Sequence, residues 1–522
     1  SLLYGLIIPR PIKQRKKTKN KIIPKTPSLT KMQSEKVIKI LKNYTPHDNS
    51  FLYDENHKQT LAIFIKLIQK ELGSKKQVLL LVPALSDILS FAPYLLNIFK
   101  NHLILWTAKL SKGEKFLKWQ KINNGEPCIV LGTKSSCFLP FRKLSLTLIY
   151  NYNSQDHKQW DKNPRYDARK IINKLNTFHN TQIVTSDILP DLQTFKNIKN
   201  KKSYVLNNYK QLRDTPLIDL RKEKSLFSFP LYKMIKKGLA KKERLILFLN
   251  RHEKDSFLVC NNCRHTFACS LCERPFVVDK NYFLCYHCNI KNPAKIECPK
   301  CKGVNLKTLR LGVQSFKKMV TKEFPDAKIE VVTKTNSDYN PDWNILITND
   351  YFWKNLIFKI DTNNIYGIAI IDFDFYLIRP EFNQIETALM ALHRFLQLAK
   401  TRSALIQTSN PENEIFGELK KIYKKELIER KEINYPPYFR MIKIICKAEN
   451  EKDLEMESKK LYDELLRRGL HPLPPFEPFI KKRTKNYLKH IVLKESLDKD
   501  FSILRKLIPD KYQIDVDPIS IY

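Results

Sequence analysis

Glycine is scarce in this chain. Its 522 residues hold 11 glycines, about a third of the usual frequency of roughly 7%. None of them is followed by lysine. A phosphate-binding loop needs a glycine-rich turn ending Gly-Lys-Ser/Thr, so that backbone N–H groups cradle phosphate and the hydroxyl holds magnesium. No stretch of this sequence has that form. Long apolar runs are missing as well. Nothing approaches the roughly 18 apolar residues of a membrane-spanning helix. The first ten residues are fairly apolar, but they lead into a basic run with no cleavage pattern. These absences predict a cytoplasmic protein with no membrane partner. Acidic residues are also in deficit: 53 Asp+Glu face 93 Lys+Arg, a net charge of +40. Such an excess points to a polyanion, most simply nucleic acid. The competing reading is a lysine-rich bias that only solvates the surface. The basic residues are spread along the chain, and no block matches a zinc-finger recognition helix or a basic zipper.

Cysteine, by contrast, is concentrated. Four Cys-x-x-Cys pairs occur at 260–263, 269–272, 285–288 and 298–301, so eight of the 11 cysteines occupy 42 positions. Two cysteines two residues apart can put both thiolates on one metal ion, and two such pairs complete a tetrahedron. Four pairs therefore predict two closed zinc sites. A closed site has no position for water or substrate, which makes both structural. A disulfide cluster is the alternative, but such frameworks belong mainly to small secreted chains. Cys128, Cys137 and Cys446 read as ordinary small core residues. His265 and His287 read as neighbours of the metal, since eight thiolates already fill two sites. Spacing leaves three ways to pair the four knuckles. Gly303, just past the last one, suits a backbone turning tightly around sulfur.

Around the cysteines, apolar periodicity predicts two series of alternating helices and strands. The first spans about 31–195. Leu61, Phe64, Ile65, Ile68 and Leu72 follow helical spacing. Continuous apolar runs at 77–83, 103–107, 128–133, 144–150 and 182–186 read as buried parallel strands. The second has strands at 244–250, 329–333, 345–348, 365–372 and 404–408, with the cysteine-rich stretch inserted after the first of them. Strands alternating with helices mean parallel sheets covered on both faces. A break at 435–437 precedes a tail of strand (439–447), helix (451–468), strand (487–493), helix (497–508) and strand (511–516), a small α+β domain. Residues 1–30, rich in proline and lysine, read as a linker. Trp106, Trp119, Trp160, Trp343 and Trp353 read mainly as core or edge residues. Asp372 and Asp374 resemble an acidic pair. The DVDP near the end reads as a strand terminus with a turn.

Several segments resemble one family. They are 247–263 with the three later knuckles, LVPALSDI (81–88), LGTKSSCFLPF (131–141), PRYDAR (164–169), RPEFNQIE (379–386), INYPPYFR (433–440) and IDVDPIS (514–520). In this order they are similar to the primosomal protein N′ (PriA) family of replication-restart DNA helicases, from about Leu29 to the C terminus. The resemblance implies an α/β fold: two tandem RecA-like helicase lobes with ATP between them, a two-zinc insertion in lobe two, and a C-terminal α+β domain. It implies a division into 1–30 (basic linker or remnant of an N-terminal DNA-binding domain), 31–200 (lobe one), 201–259 (start of lobe two), 260–302 (two-zinc module), 303–432 (rest of lobe two) and 433–522 (C-terminal domain). It pairs Cys260, Cys263, Cys298 and Cys301 on one zinc, and Cys269, Cys272, Cys285 and Cys288 on the other.

The departures from the family concern the motor. LYDENHKQT (52–60) stands where the family has its phosphate loop, with Lys58 as a vestige of the phosphate lysine. NYNS (151–154) replaces Asp-Glu-Glu-His, and the first carboxylate beyond it is Asp156. AKTR (399–402) is a shortened arginine element, with Arg402 as its remnant. TNDYF (348–352) replaces Gly-Thr-Gln-Met. These losses put ATP and Mg2+ binding in doubt and leave no catalytic residue, because each element contributes orders of magnitude to phosphoryl transfer. The expectation is a protein of replication restart that binds forked or branched DNA and recruits replication proteins, among them single-strand-binding protein, without ATP hydrolysis. The alternatives are an active ATP-dependent 3′–5′ DNA helicase, or a zinc-bearing RNA-binding or assembly factor. The short stretch before lobe one predicts either a fragment or loss of the family's 3′-end-capturing domain.

Overall fold

The computed structural model describes residues 31–42, 49–54, 57–207, 215–251, 257–260, 262–263, 265, 267, 277–279, 282–285, 290–293, 297–309, 312–334, 336–357, 359–361, 364–377, 381–399, 402–478, 482–483 and 485–521. The chain divides into two compact units, Ser1–Gln211 and Leu212–Tyr522.

In chain order the first unit contains α1 (Lys31–Lys42), β1 (Asn49–Tyr53), α2 (His57–Gly73), β2 (Gln77–Leu81), α3 (Leu85–Phe99), β3 (Leu103–Trp106), α4 (Lys112–Asn123), β4 (Cys128–Gly132), β5 (Leu144–Tyr150), α5 (Ala168–His179), β6 (Gln182–Asp187), α6 (Leu192–Lys199) and β7 (Tyr204–Val205). The seven strands form one sheet in the order β3-β4-β2-β5-β6-β1-β7, with every pairing parallel. Side chains alternate across a strand, so β2 serves two cores. Val78 and Leu80 join α2 and α3 on one face. Leu79 and Leu81 pack with Ile122, Cys128 and Ile172 on the other. All four are fully buried, and each contributes on the order of 1.5–3 kcal/mol. At the head of β2, buried Gln77 satisfies four backbone groups. Its Oε1 accepts from the N–H groups of Arg142 and Lys143 at 2.9 Å each. Its Nε2 donates to Ile122 and Glu126 carbonyls at 2.9 and 3.1 Å.

Helix starts follow local capping rules. Ser111 and Glu114 form a reciprocal capping box on α4, and Asp167 and Asp191 cap α5 and α6 through their side chains. Such caps contribute about 1 kcal/mol each.

The second unit begins with β8 (Leu217–Asp219), α7 (Phe229–Ala240) and β9 (Arg244–Phe248). The cysteine-rich insertion follows: β10 (Phe257–Cys260), β11 (Val277–Asp279), β12 (Tyr282–Cys285), β13 (Ile290–Pro293) and β14 (Leu306–Leu309). These make their own antiparallel sheet, ordered β13-β12-β11-β10-β14. The lobe then resumes with α8 (Val313–Glu323), β15 (Ile329–Val332), β16 (Ile345–Thr348), β17 (Ile365–Ile370), α9 (Gln384–Ala399), β18 (Ser403–Thr408) and α10 (Leu419–Glu432). Its six strands run parallel in the order β15-β16-β9-β17-β18-β8. The expected interruption of a second parallel sheet by the cysteine module is therefore what the chain does. Gln407 mirrors Gln77 here. Fully buried, it donates to the carbonyls of Leu226 and Ile371 and accepts from the Ser228 hydroxyl.

The tail consists of β19 (Phe439–Ala448), α11 (Glu451–Arg467), β20 (Lys482–Arg483), β21 (Asn486–Ser496), α12 (Leu504–Leu507) and β22 (Gln513–Val516), with an antiparallel sheet ordered β20-β21-β19-β22. The helix expected over 497–508 shrinks to one turn. Asp500 is the reason: its carboxylate accepts from the N–H of Ser502 at 2.9 Å and from its hydroxyl at 2.6 Å. This local bonding holds the backbone in a turn where a helix would otherwise begin.

Candidate metal centre and the nucleotide-site vestiges

Four of the eight cysteines come together. Cys260 ends β10, Cys263 follows it in a turn, and Cys298 and Cys301 form the knuckle before β14. Cys260 Sγ lies 3.4 Å from Cys301 Sγ, and Cys263 Sγ lies 3.6 Å from Cys298 Sγ. All four sulfurs fall within 4.8 Å of one another. Zinc–sulfur bonds of about 2.3 Å in a tetrahedron place sulfurs roughly 3.8 Å apart, so the donor set fits a metal ion. The sulfurs are too far apart for a disulfide bond.

Backbone geometry shapes this knot. Cys260 N–H donates to the His265 carbonyl at 2.9 Å, and Cys298 N–H donates to the Gly303 carbonyl at 2.9 Å. The left-handed position of the second knuckle falls on Lys302, at φ +57°, rather than on the glycine. Gly303 is needed for closeness: a Cβ there would lie 2.4 Å from Asn262 Nδ2 and 3.3 Å from Cys301 Sγ. Cys263 N–H, foremost, and the Cys301 thiol draw the Cys260 thiol down to about 7. On Cys301 the Gly303 N–H acts the same way, but the neighbouring sulfurs outweigh it and push that thiol up to about 12. Cysteine binds a metal ion as thiolate, so a cation held here would be bound with release of protons.

His265 stands beside this cluster, its ring 5.6 Å from that of Phe267, and is not among the four ligating side chains. Cys269, Cys272 and Cys288, with His287, lie outside the described residues; of the second expected set only the backbone of Cys285, at the end of β12, is described. Cys128, Cys137 and Cys446 are buried, and burial pushes the Cys446 thiol up to about 12.

In open parallel sheets, ligands bind beyond the C-terminal ends of the strands. At the end of β1 only residues 54–56 connect to α2. Lys58 is the second residue of that helix and is exposed. The buried hydroxyl of Thr60 donates to Asp54 Oδ1 at 2.8 Å. At the end of β5, Asn151 takes a left-handed conformation at φ +51°. Asn153 donates its N–H to Asp187 Oδ2 at 2.7 Å and its Nδ2 to the Leu189 carbonyl at 2.7 Å. His157 is buried beneath this turn, with Nε2 at 3.1 and 3.2 Å from the carbonyls of Tyr150 and Asn151. Arg169 bridges Asp167 at 2.6 Å and donates to the Tyr152 carbonyl at 2.8 Å. Asp156 sits half-buried in the short helical turn 155–157.

The corresponding edge of the second sheet is knitted by its own side chains. Asp372 is paired with Arg251, both almost fully buried. Asp374 accepts from the Thr408 hydroxyl and from the Ser409 N–H at 2.8 Å. Asp350, in the stretch 348–352, accepts from Asn250 Nδ2 at 3.0 Å and Tyr376 OH at 2.6 Å. Arg402 donates to the Leu398 carbonyl, and burial lowers its pKa. Among the tryptophans, Trp106 and Trp343 are buried, Trp353 stacks on Phe248 at 5.2 Å, and Trp160 is 52% exposed. Asp517, in the DVDP turn, pairs with Arg440 at 3.6 Å just past β22.

Two parallel-sheet lobes in one chain, the second interrupted by a cysteine-knuckle module and followed by a small α+β domain, define a two-lobed α/β protein with a cysteine-rich insertion. No protein-family model matches the chain. Among curated proteins it is 30% identical over 479 residues to the replication restart protein PriA of Borreliella burgdorferi, covering 85% of this chain and 71% of that protein. It is 24% identical over 495 residues to the Bacillus subtilis protein of the same name, covering 87% of this chain and 60% of that one. With the Helicobacter pylori protein it shares 24% identity over 528 residues, covering 96% and 84%. The chain belongs to the PriA family of replication restart proteins. Among solved structures it is similar to RecG bound to a three-way DNA junction, with a TM-score of 0.41, 12% identity and coverage of 77% of this chain and 46% of that one. It is also similar to the DUF1998 helicase MrfA bound to DNA, with a TM-score of 0.38, 11% identity and coverage of 91% and 61%.

Proposed function

We propose that this chain is a replication-restart protein that binds forked or branched DNA and recruits replication proteins, single-strand-binding protein among them, without hydrolysing ATP. Membership of the PriA family supports the restart role, and the net charge of +40 supports a polyanionic partner. The observation that carries the absence of hydrolysis is the β1–α2 connection. No glycine lies between Leu52 and Thr60, so this stretch lacks the residues that let backbone N–H groups close around phosphate. At the end of β5, amide side chains stand where a magnesium-binding carboxylate would be required.

The cysteine module is inserted in the second lobe between β9 and α8. In this reading it holds two zinc ions, one on Cys260, Cys263, Cys298 and Cys301 and the other on Cys269, Cys272, Cys285 and Cys288. The domain division at about 200, 260, 303 and 433 is part of the same proposal, as is residence in the cytoplasm. Among the described residues no helix is long and apolar enough to cross a membrane.

The test combines a nucleotide titration with phosphate release in the presence of forked DNA, and compares binding to forked DNA, plain duplex and structured RNA at fixed salt. The expected result is a preference for the fork with no DNA-stimulated turnover. Robust turnover would restore the active-helicase reading, and a preference for structured RNA would favour an assembly factor.

A further inference from the structure

Helix α7 covers one face of the second sheet with Leu231, Met234 and Ile235. Its outward stripe is aromatic and basic. Phe229, Lys233, Lys236, Lys237 and Lys241 follow one another at helical spacing and are exposed, Phe229 to 60%. From Phe229 to Lys242 there is no carboxylate. Lys233 with Lys236 and Lys237, and Lys237 with Lys241, are like-charge neighbours, each pair destabilising the helix by a few tenths of a kcal/mol. The helix C-terminus favours cations and accounts for Lys237 and Lys241, but not for Lys233 one turn from the start.

Two other basic helices, α10 and α11, neutralise themselves, whereas α5 resembles α7, with exposed Lys170 and Lys174 and with Lys174 Nζ 5.8 Å from the exposed Phe178 ring. On α10, Lys421 pairs with Glu418, and Lys425 with Glu414 and Glu429. On α11, Arg467 and Arg468 pair with Glu464. On α7, among the described residues, Lys233 and Lys241 meet aromatic rings. Lys233 Nζ lies 4.3 Å from the Phe229 ring centroid, and Lys241 Nζ lies 5.1 Å from that of Tyr366. Just beyond, Arg244 lies 4.8 Å over Trp343. Helix α8 shares the same core and adds exposed Lys318 and Lys322. Tyr232 stacks on Phe324 at 5.3 Å and sets the end of α8 against the first half of α7.

We infer that the outer face of α7 is a docking track for the phosphate backbone of DNA. Unpaired lysines repeating every turn offer successive point charges, and phosphates would relieve their mutual repulsion. The exposed Phe229 ring offers a stacking surface where a strand is open. This inference rests on the DNA-binding reading above and locates part of that binding on the outside of lobe two.

The test is a charge reversal on the full chain, K233E/K236E/K237E, against an equal reversal on exposed α11 positions, K452E/K459E/K460E. Affinity for forked DNA is measured across a salt series. Each phosphate contact contributes a slope of about 0.9 in log K against log salt. The α7 variant is therefore expected to lose about two to three units of slope and to bind at least about tenfold more weakly at fixed salt. The α11 variant should keep most of the slope. A milder variant, K233Q/K236Q/K237Q, should fall between wild type and the reversal, and an unchanged melting temperature shows that it is folded. Equal losses on both helices, or no loss on α7 while the wild type binds forks, would overturn the inference and leave the DNA-binding reading intact. Absence of DNA binding by the wild type would overturn both.

Discussion

Cys260 and Cys301 are 41 residues apart, yet their sulfurs lie 3.4 Å from each other across the junction of β10 and the last knuckle. Cys260 is buried and Cys301 is exposed, so one ligand anchors the cluster in the antiparallel sheet and the other closes it from solvent. Cys301→Ser is expected to lower bound zinc by one ion per chain. It should also expose the 260–301 segment to limited proteolysis while the two parallel sheets stay folded. Structural zinc contributes on the order of 10–16 kcal/mol to small metal-dependent folds, so the effect should be large and local. Metal analysis and peptide mapping check it. Full zinc retention would remove Cys301 from the ligand set.

How much of this was legible in the sequence depended on range. Strands such as Val78–Leu81 and Ile129–Leu131 announce themselves because they are buried on both faces and carry unbroken apolar runs. The four knuckles are equally plain, because metal geometry dictates a two-residue gap. Asn49–Tyr53 carries no strand signal in the sequence. Its five residues begin and end with polar or amphipathic side chains, and its partner is β6, some 130 residues later. Helices α6 and α7 are equally faint in the sequence. Helix α6 has only eight residues, and the lysines of α7 hide a narrow apolar stripe. The surroundings of Lys58 and Arg402 were beyond reading as well, since their bonding follows from chain path rather than pattern.

Arg430 belongs to this unreadable class. Its guanidinium is 4% exposed and lies 2.8 Å from both Glu386 and Glu426. It also donates to the carbonyls of Phe382 and Pro436, at 2.9 and 3.1 Å. One side chain thus joins α9, α10 and the break before β19. Nearby, Phe382 and Tyr435 pack against Met441, Val492 and Ile521 of the C-terminal domain, and Ser520 donates to Glu381 at 2.6 Å. Arg430→Met is expected to destabilise this unit by about 3–5 kcal/mol, because two carboxylates lose their buried counter-ion. Adding Glu386→Gln should recover part of the loss. Urea denaturation followed by tryptophan fluorescence measures both. A loss below about 1 kcal/mol would place Arg430 with the ordinary surface pairs.

Acid sensitivity should appear in the first unit. Burial, with Arg169 acting in the same direction, lowers His157 to about 4 from 6.5. A carbonyl can accept only from an N–H, so the neutral ring carries its proton on Nε2 beneath Tyr150 and Asn151. The folded state excludes a proton that the unfolded state takes up below 6.5. Stability is therefore complete above about 6.5 and is lost as the pH falls toward 4, by up to roughly 3 kcal/mol. His57, lowered to about 4 by burial and by Lys58, acts in the same window. The denaturation midpoint should fall from pH 6.5 to 4.5, and His157→Gln should flatten that fall. A midpoint unchanged by pH in the wild type would contradict the burial of both rings.

Lys58 decides between a motor and a casing. In a working phosphate loop the lysine reaches the β- and γ-phosphates, and its removal abolishes hydrolysis. Here Lys58 lies in the first turn of α2 and is exposed, and no glycine precedes it in 52–57. The Thr60 hydroxyl donates to Asp54, which leaves its oxygen lone pairs open to a cation, so the missing glycines and the missing carboxylate, rather than Thr60, argue against a magnesium–nucleotide site. Lys58→Ala is therefore expected to leave nucleotide binding and fork binding where the wild type has them, within about twofold. Thr60→Val should destabilise the unit by about 1 kcal/mol without touching either property. Isothermal titration with an ATP analogue and magnesium, run beside fork-binding measurements, gives the answer. A nucleotide affinity that drops tenfold or more in Lys58→Ala would mean that an improvised phosphate site exists at the end of β1, and that the fuel chamber still works without those glycines.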